Sequence, residues 1–301
     1  MISNPTLFAV LDGDSVSLHY GGMQNRFFSC LLASAFSITG SFAGEPVITK
    51  EVREENGKKV EYMFIDGIKV HETDPEKQPV PPIVEPKPYD EAAAKAPADA
   101  VVLFDGTEAA LKNWTSGGGK PTKWTLVDGA LESVKGGGYA ESVASFGSCK
   151  LHIEFATPAK PEGSGQGRGN SGVFLMGEYE VQVLDSYENT TYPDGQCGAL
   201  YGRSKPKVNA SRKPGEWQTY DITFHRPLFD ENGKVTRKAK FHVVHNGWVI
   251  QDNVELTGGT GWNGSHSISE YKKHGDTGPL KMQDHGNPVR FRNIWVQKIE
   301  D

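Results

Sequence analysis

The chain has 301 residues, a formal charge of −6 and a mean hydropathy of −0.50, which fits one large polar domain with appendages or two small domains. Its acidic balance, with neither Lys nor Arg gathered into blocks, excludes nucleic acid or an anionic membrane as the main partner.

Residues 1–43 read as a leader. Met23 and Arg26 precede the apolar run "FFSCLLASAFSITGSFA", and the small residues Ser41 and Ala43 fit a cleavage site at its end. The acidic and polar positions before Met23 suit no signal, so Met23 is the expected true start. The apolar core is short for a bilayer span and no second such run exists, so removal of the leader is expected to leave no integral membrane segment. The expected location is therefore the periplasm or the exterior. Cys30 would leave with the leader. Whether the remaining Cys149 and Cys197 pair stays open, because two cysteines do not make a disulfide scaffold.

Residues 44–98 follow as a hairpin and a linker. Within 46–70, "VITKEVREENGKKVEYMFIDGIKV" places Asn56 and Gly57 between two strand-like runs, a strong hairpin signal. From His71 to Ala98 lie seven of the chain's 18 prolines, a composition that predicts an extended linker rather than a core. From Asp99 to Asp301 short apolar-alternating runs recur between Gly, Asn and Asp punctuation. "KWTLVDGALESV", "CKLHIEFATP", "SGVFLMGEYEVQVLDS", "EWQTYDITFHRP", "KAKFHVVHNGWVIQDNVEL" and "PVRFRNIWVQKI" all show period two. Many short strands joined by hairpin turns predict an all-β jelly-roll sandwich of two antiparallel sheets.

The stretch "YEVQVLDS", Tyr179 to Ser186, spends acid and amide side chains among strand formers. Alternation sets Tyr179, Val181 and Val183 against the core, and Glu180 and Gln182 on the opposite face. A bulge between Val183 and Leu184 would bring Asp185 back to the polar row, since burying an unpaired carboxylate is expensive. Asn170 begins the preceding strand, Tyr201 follows, and His285, Arg290 and Arg292 lie near the end of the chain. Acids, an imidazole, guanidinium donors and aromatic rings together suit a sugar, whose hydroxyls take polar contacts and whose CH faces stack on rings. The loop "GSGQGRGNSG" opens into a strand rather than a helix, which argues against a dinucleotide cradle and for a mobile cleft rim. His242 and His245 are three apart on a strand and face opposite ways, so the sequence specifies no metal set.

The motifs "LFDGTEAALKNW", "NSGVFLMGEYEVQVLDS", "GALYG", "GEWQTYDITF", "HNGWVIQDNVEL" and "GPLKMQDHGNPVRFRNIWV" occur in this order. In them residues 99–300 resemble the 3-keto-disaccharide hydrolase family, described as 3-keto-glucoside 1,2-lyases and 3-keto-2-hydroxyglucal hydratases. The resemblance implies a concanavalin-like fold with an oligosaccharide or glycoside bound on the concave face. It also implies a reaction: a ketone at C3 acidifies the C2 hydrogen, a base removes it, the enolate expels the group on C1, and water adds in return. Glu180, Asp185 and His285 are the expected catalytic residues. Gln182, Asn170, Tyr201, Arg290 and Arg292 are the expected substrate-binding ones. No cofactor is identified. A structural calcium of the kind such folds often carry would need ligands that the sequence does not specify. Glu180, Gln182 and Asp185 match a laminarinase-like Glu-x-Asp-x-x-Glu strand only loosely, since an amide replaces the central acid. A conventional glycoside hydrolase and a non-catalytic carbohydrate-binding module are the alternatives.

Overall fold

The computed structural model describes residues 10–12, 15–17, 46–261 and 269–301. The expected leader at 23–43 lies outside the described residues. Val10–Asp12 and Ser15–Ser17 pair as a small antiparallel hairpin within the 1–44 unit. Everything from Glu45 onward forms the second unit.

Two antiparallel sheets make up most of that unit, and the chain is an all-β sandwich. The five-stranded sheet runs in the order Tyr179–Val183, Ser171–Leu175, Gly278–Met282, Ala140–Phe146, Trp114–Thr115. The eight-stranded sheet runs Trp248–Glu255, Lys240–His245, Gln218–His225, Cys149–Ala156, Arg290–Lys298, Ala130–Glu132, Thr125–Val127, with Val101–Phe104 also paired to Arg290–Lys298. Period-two patterning explains the packing. Tyr220, Ile222 and Phe224 alternate inward from Gln218–His225 and meet Leu151, Ile153 and Phe155 of the neighbouring strand. Val173, Tyr179, Val181, Leu280 and Met282 face them from the other sheet in the same core. Tyr179 bridges the layers, its ring 5.7 Å from that of Phe224.

Turn chemistry sets the hairpins. Asn56 and Gly57, Asp128 and Gly129, and Asn246 and Gly247 all take positive φ, as a type I′ connection requires. Ile48–Glu55 pairs with Lys58–Ile65 across the first of these. Both cysteines outside the leader run are buried as free thiols, with Cys197 Sγ 3.0 Å from the Tyr220 hydroxyl. His245 points into the core and His242 out of it. Burial, with a smaller push from Arg212, lowers the His245 pKa to about 3, so this core imidazole is neutral.

The proline-rich segment is extended, as its composition predicts, but it is also tied down along its length. Val84 N–H donates to the Asn209 carbonyl at 3.0 Å, and Trp248 Nε1 to the Glu85 carbonyl at 2.8 Å. Lys87 N–H donates to the Asn246 carbonyl at 3.0 Å, and Tyr89 hydroxyl to Glu154 Oε1 at 2.6 Å. "EAAA" forms a one-turn helix, Glu91–Ala94, whose Asp90 carboxylate caps Ala92 and Ala93 N–H. Trp295 Nε1 donates to the Ala94 carbonyl at 3.0 Å. The segment is a strap across the outer face of the eight-stranded sheet. That cover explains why His152 and Glu154, which alternate outward on Cys149–Ala156, are nevertheless buried.

The core makes a direct prediction. Phe155 is fully buried, with ring contacts to Tyr220 at 4.7 Å and Phe291 at 6.5 Å. Phe155→Ala is expected to cost about 3–5 kcal/mol, read as a lower urea midpoint at unchanged m-value.

Candidate active site

The outer face of the five-stranded sheet carries polar side chains in two rows set by register. Glu180 pairs with Phe174, Phe174 with Lys281, and Lys281 with Glu141, so these four lie side by side across four strands. In the next row Gln182 pairs with Gly172, whose carbonyl accepts from Gln283 N–H at 3.1 Å, and Gln283 Nε2 reaches the Tyr139 hydroxyl at 3.5 Å. The expected shared face of Glu180 and Gln182 is therefore present, extended by residues about 100 positions away in the sequence.

Glu180 is the centre of this face. Its carboxyl lies over Gly172: a Cβ at that position would stand 2.3 Å from Glu180 Oε1. Glycine in "NSGVF" thus makes room for the acid. The Gln182 amide lies 3.0 Å from Glu180 Oε1 and 2.9 Å from the Ser171 carbonyl, and the orientation that donates to both turns its oxygen towards Gln166 Oε1 at 3.0 Å. Glu180 is only 5% exposed, and burial raises its pKa to about 8.

Aromatic residues close one side of the acid. Tyr201, whose N–H donates to the Glu180 carbonyl at 3.3 Å, shares a 2.7 Å hydrogen bond with the Tyr192 hydroxyl. Burial raises both phenols, Tyr201 to about 12. His71, at the end of the N-terminal hairpin, packs 4.3 Å from the Tyr192 ring and 5.1 Å from that of Tyr201. Its backbone N–H donates to Asp194 Oδ2 at 2.9 Å, and its Nδ1 lies 3.3 Å from Asp194 Oδ1. Farther across the sheet the face is less covered. Tyr139 is 38% exposed, and Lys281 Nζ sits 5.7 Å over its ring and 3.3 Å from Glu141 Oε1.

The other expected site residues disperse. Regular pairing ends at Val183; Val183 and Leu184 both enter the core, so alternation breaks where a bulge was expected, and Asp185 beyond them pairs with Arg168. Arg168 Nη2 donates to Asp185 Oδ1 at 3.1 Å, Arg168 Nε is 2.9 Å from Oδ2, and Tyr187 N–H adds a bond at 3.2 Å. Burial still raises the Asp185 pKa against the pull of the guanidinium. The glycine-rich loop expected to be a mobile rim is pinned by that pair and by Gln166, whose Nε2 donates to Thr191 Oγ1 and the Gly195 carbonyl. Asn170 lies beneath this loop and donates to the Gln166 carbonyl at 2.7 Å. His285 is exposed on the loop after Gly278–Met282, whose shape Asp284 sets by accepting from Gly137 and Gly286 N–H. Arg290 and Arg292 belong to the eight-stranded sheet. Arg292 stacks 4.0 Å from the Trp217 ring centroid and donates to Glu154 Oε2 at 2.7 Å. Arg290 lies 5.8 Å from the same ring. Neither arginine joins the Glu180 face. Among the described residues no three His, Cys, Asp or Glu side chains are grouped to hold a metal ion.

Sequence reading missed His71, Tyr192, Asp194, Lys281, Glu141 and Tyr139. The alternation in "GPLKMQD" does put Lys281 and Gln283 on one face, which was a usable signal once the strand's neighbour was known.

A β-sandwich whose outer sheet face sets a buried acid beside an amide and an aromatic wall has the layout of a carbohydrate-active protein. The chain belongs to the 3-keto-alpha-glucoside-1,2-lyase-like domain family, whose pattern matches residues 99–297. A curated relative from Bacteroides thetaiotaomicron, named 3-keto-disaccharide hydrolase, is 23% identical over 92% of this chain and 100% of its own length. A crystal structure of a Parabacteroides distasonis protein assigned as a glycosyl hydrolase is 42% identical over 74% of this chain and 93% of that one, with a TM-score of 0.65.

Two predictions follow from the buried acid. Glu180 holds its proton to about pH 8 when folded but only to about 4.5 when unfolded, so the native state binds more protons between those values and stability falls as pH rises through them. Glu180→Gln removes that liability. Its melting temperature relative to the parent should therefore increase from pH 5 to pH 8. Gly172→Ala should destabilise by about 1–3 kcal/mol, and by less in a Glu180→Ala background, where the nearest clash is gone. Equal costs in both backgrounds of the double-mutant cycle would mean that the carboxyl does not occupy the space above Gly172.

Proposed function

We propose that the chain is an exported enzyme that hydrolyses 3-keto-disaccharides and related 3-keto-glucosides by elimination and hydration. Family membership and the name of the Bacteroides relative support the hydrolase reading. The leader-like run at 23–43 supports export. The observation that carries the mechanism is the Glu180 carboxyl, buried over Gly172 beside the Gln182 amide with a pKa near 8.

In this reading Glu180 takes the proton from C2 of the keto-sugar. An acid with a pKa near the working pH is a stronger base, once ionised, than an ordinary carboxylate. The C2–H electron pair moves into the C2–C3 bond and charge builds on the C3 oxygen. The enolate then expels the C1 oxygen, leaving a 2-hydroxy-3-keto-glucal and the aglycone. The proton taken from C2 passes to the departing aglycone oxygen, and water then adds its hydroxyl at C1 and its proton at C2 to give the free 3-keto-sugar. Strands about 4.8 Å apart put roughly 10 Å between the Cα atoms of Glu180 and Lys281, with the Phe174 side chain between them as the floor against which a pyranose ring would lie. Lys281 supplies a donor for the developing oxyanion, and Gln182 orients the Glu180 carboxyl. Tyr201 and Tyr192 wall the ring, and His285 stands on the loop beyond the second row. A two-carboxylate glycosidase is less well served, because Asp185, the expected second acid, is engaged by Arg168.

Purified protein should consume 3-keto-trehalose or a 3-keto-aryl-glucoside with transient ultraviolet absorbance from the unsaturated ketone. Glu180→Gln should lower kcat about 10²–10⁴-fold. The parent kcat/KM should rise with pH towards the Glu180 pKa of about 8 and lose that dependence in the variant. Binding without consumption would favour a carbohydrate-binding module. Comparable hydrolysis of the unoxidised disaccharide would favour a conventional glycosidase.

A further inference from the structure

A cavity of about 940 Å³ lies on the other side of the sandwich, between the outer face of the eight-stranded sheet and the strap residues 87–93. Its size is that of a small-ligand site. None of the Glu180 face contributes to it. One wall comes from strap residues that lie outside the 99–297 region shared with the family.

The cavity holds a platform and a set of balanced polar groups. Trp217 is half-buried and lines it, and the Arg292 guanidinium at 4.0 Å fixes the indole in place. Thr219 and Asp221 alternate outward from Gln218–His225 into the same space. His152 is 1% exposed, with Nδ1 2.7 Å from Asp221 Oδ1. Its Nε2 stands 3.7 Å from Glu154 Oε1, beyond hydrogen-bond length, and has no hydrogen-bond partner among the described residues. A buried imidazole nitrogen left in this state is an unspent polar contact. Besides His152, the lining carries Lys87, Arg212 and Arg292 against Asp90, Glu216 and Asp221, three of each sign. His152, held at a pKa of about 8, is offset by the Glu154 carboxylate beside it, so the cavity has no large excess of either sign. It offers donors and acceptors around a flat aromatic face, which is what a neutral, hydroxyl-rich ring requires.

We propose that this cavity is a second carbohydrate site, taking a neutral mono- or disaccharide stacked on Trp217, with Asp221, Arg212 and His152 meeting its hydroxyls. It goes beyond the reaction proposed for Glu180 and needs no turnover there.

The test is calorimetric titration of the full chain with maltose, trehalose and cellobiose, and with glucose 6-phosphate as an anionic counterpart. Saturable binding of at least one neutral disaccharide is expected, unchanged in Glu180→Gln. It should weaken at least tenfold in Trp217→Ala and in Thr219→Trp, which fills the cavity while leaving Trp217 in place. Both variants should keep the parent's turnover of 3-keto substrate if the Glu180 reading holds, and the binding result stands whether or not turnover is seen. Near-UV circular dichroism confirms that each variant is folded. Three outcomes would overturn the proposal: no neutral disaccharide binds, both variants bind as tightly as the parent, or glucose 6-phosphate binds more tightly than every neutral sugar.

Discussion

The burial of one carboxyl organises the five-stranded face. A carboxylate taken out of water is costly unless something replaces its hydration, and Glu180 receives one amide rather than a cation. Its neighbours follow from that. Position 172 has no side chain because the carboxyl occupies the space, Gln182 takes the adjacent place in its row, and Tyr192 and Tyr201 keep water from one side. Lys281 and Tyr139, farther across the sheet beyond Phe174, are partly exposed. An acid held this way resists ionisation, so the same feature that lowers stability above the ordinary carboxylate range prepares a base.

The segment before residue 99 matters to both faces. Its hairpin ends at His71, wedged between Tyr192 and Tyr201 and bonded to Asp194. Its proline-rich part then crosses the edge of the eight-stranded sheet and covers Glu154 and His152. Proline suits such a path, since a pre-extended backbone loses little entropy on docking and its remaining carbonyls accept from Trp248, Trp295 and Arg212. His152 depends on this cover. Burial alone would lower its pKa, but the carboxylates of Asp221 and Glu154 outweigh that and hold it at about 8.

Local patterns in the sequence predicted local structure well. Alternation identified the inward face of Tyr179–Val183 and marked the run holding Gln218–His225 as a strand, and three Asx-Gly pairs marked tight turns. Partners were much harder to read. Which strand lies on the far side of Ser171–Leu175 is settled by packing across long sequence separations, so Lys281 could not be tied to Glu180 from periodicity. The arginines show the same limit: "RFRN" does alternate outward, but on the other sheet, where Trp217 and Glu154 engage Arg292. Composition misled in one respect. A proline-rich stretch that cannot build a core can still dock on one, and alternation cannot reveal that an outward face will be covered.

The pairing of the remaining acids bears on the chemistry. Asp185 is held by Arg168, Asp194 meets His71, and Glu141 meets Lys281. Each of these carboxylates already has a basic partner. Glu180 has only an amide beside it, and its pKa is set by burial. Retaining or inverting glycosidases need two acids free to act on opposite sides of the anomeric carbon. Enolate chemistry needs one base and a donor for one oxygen, because the ketone already in the substrate activates the C–H bond. A face with a single uncompensated acid, and an ammonium two strands away, is suited to the second of these. The cation that would assist the enolate is at present shared with Glu141, so a substrate oxygen arriving near Lys281 would compete with a surface ion pair of small strength rather than with a buried one.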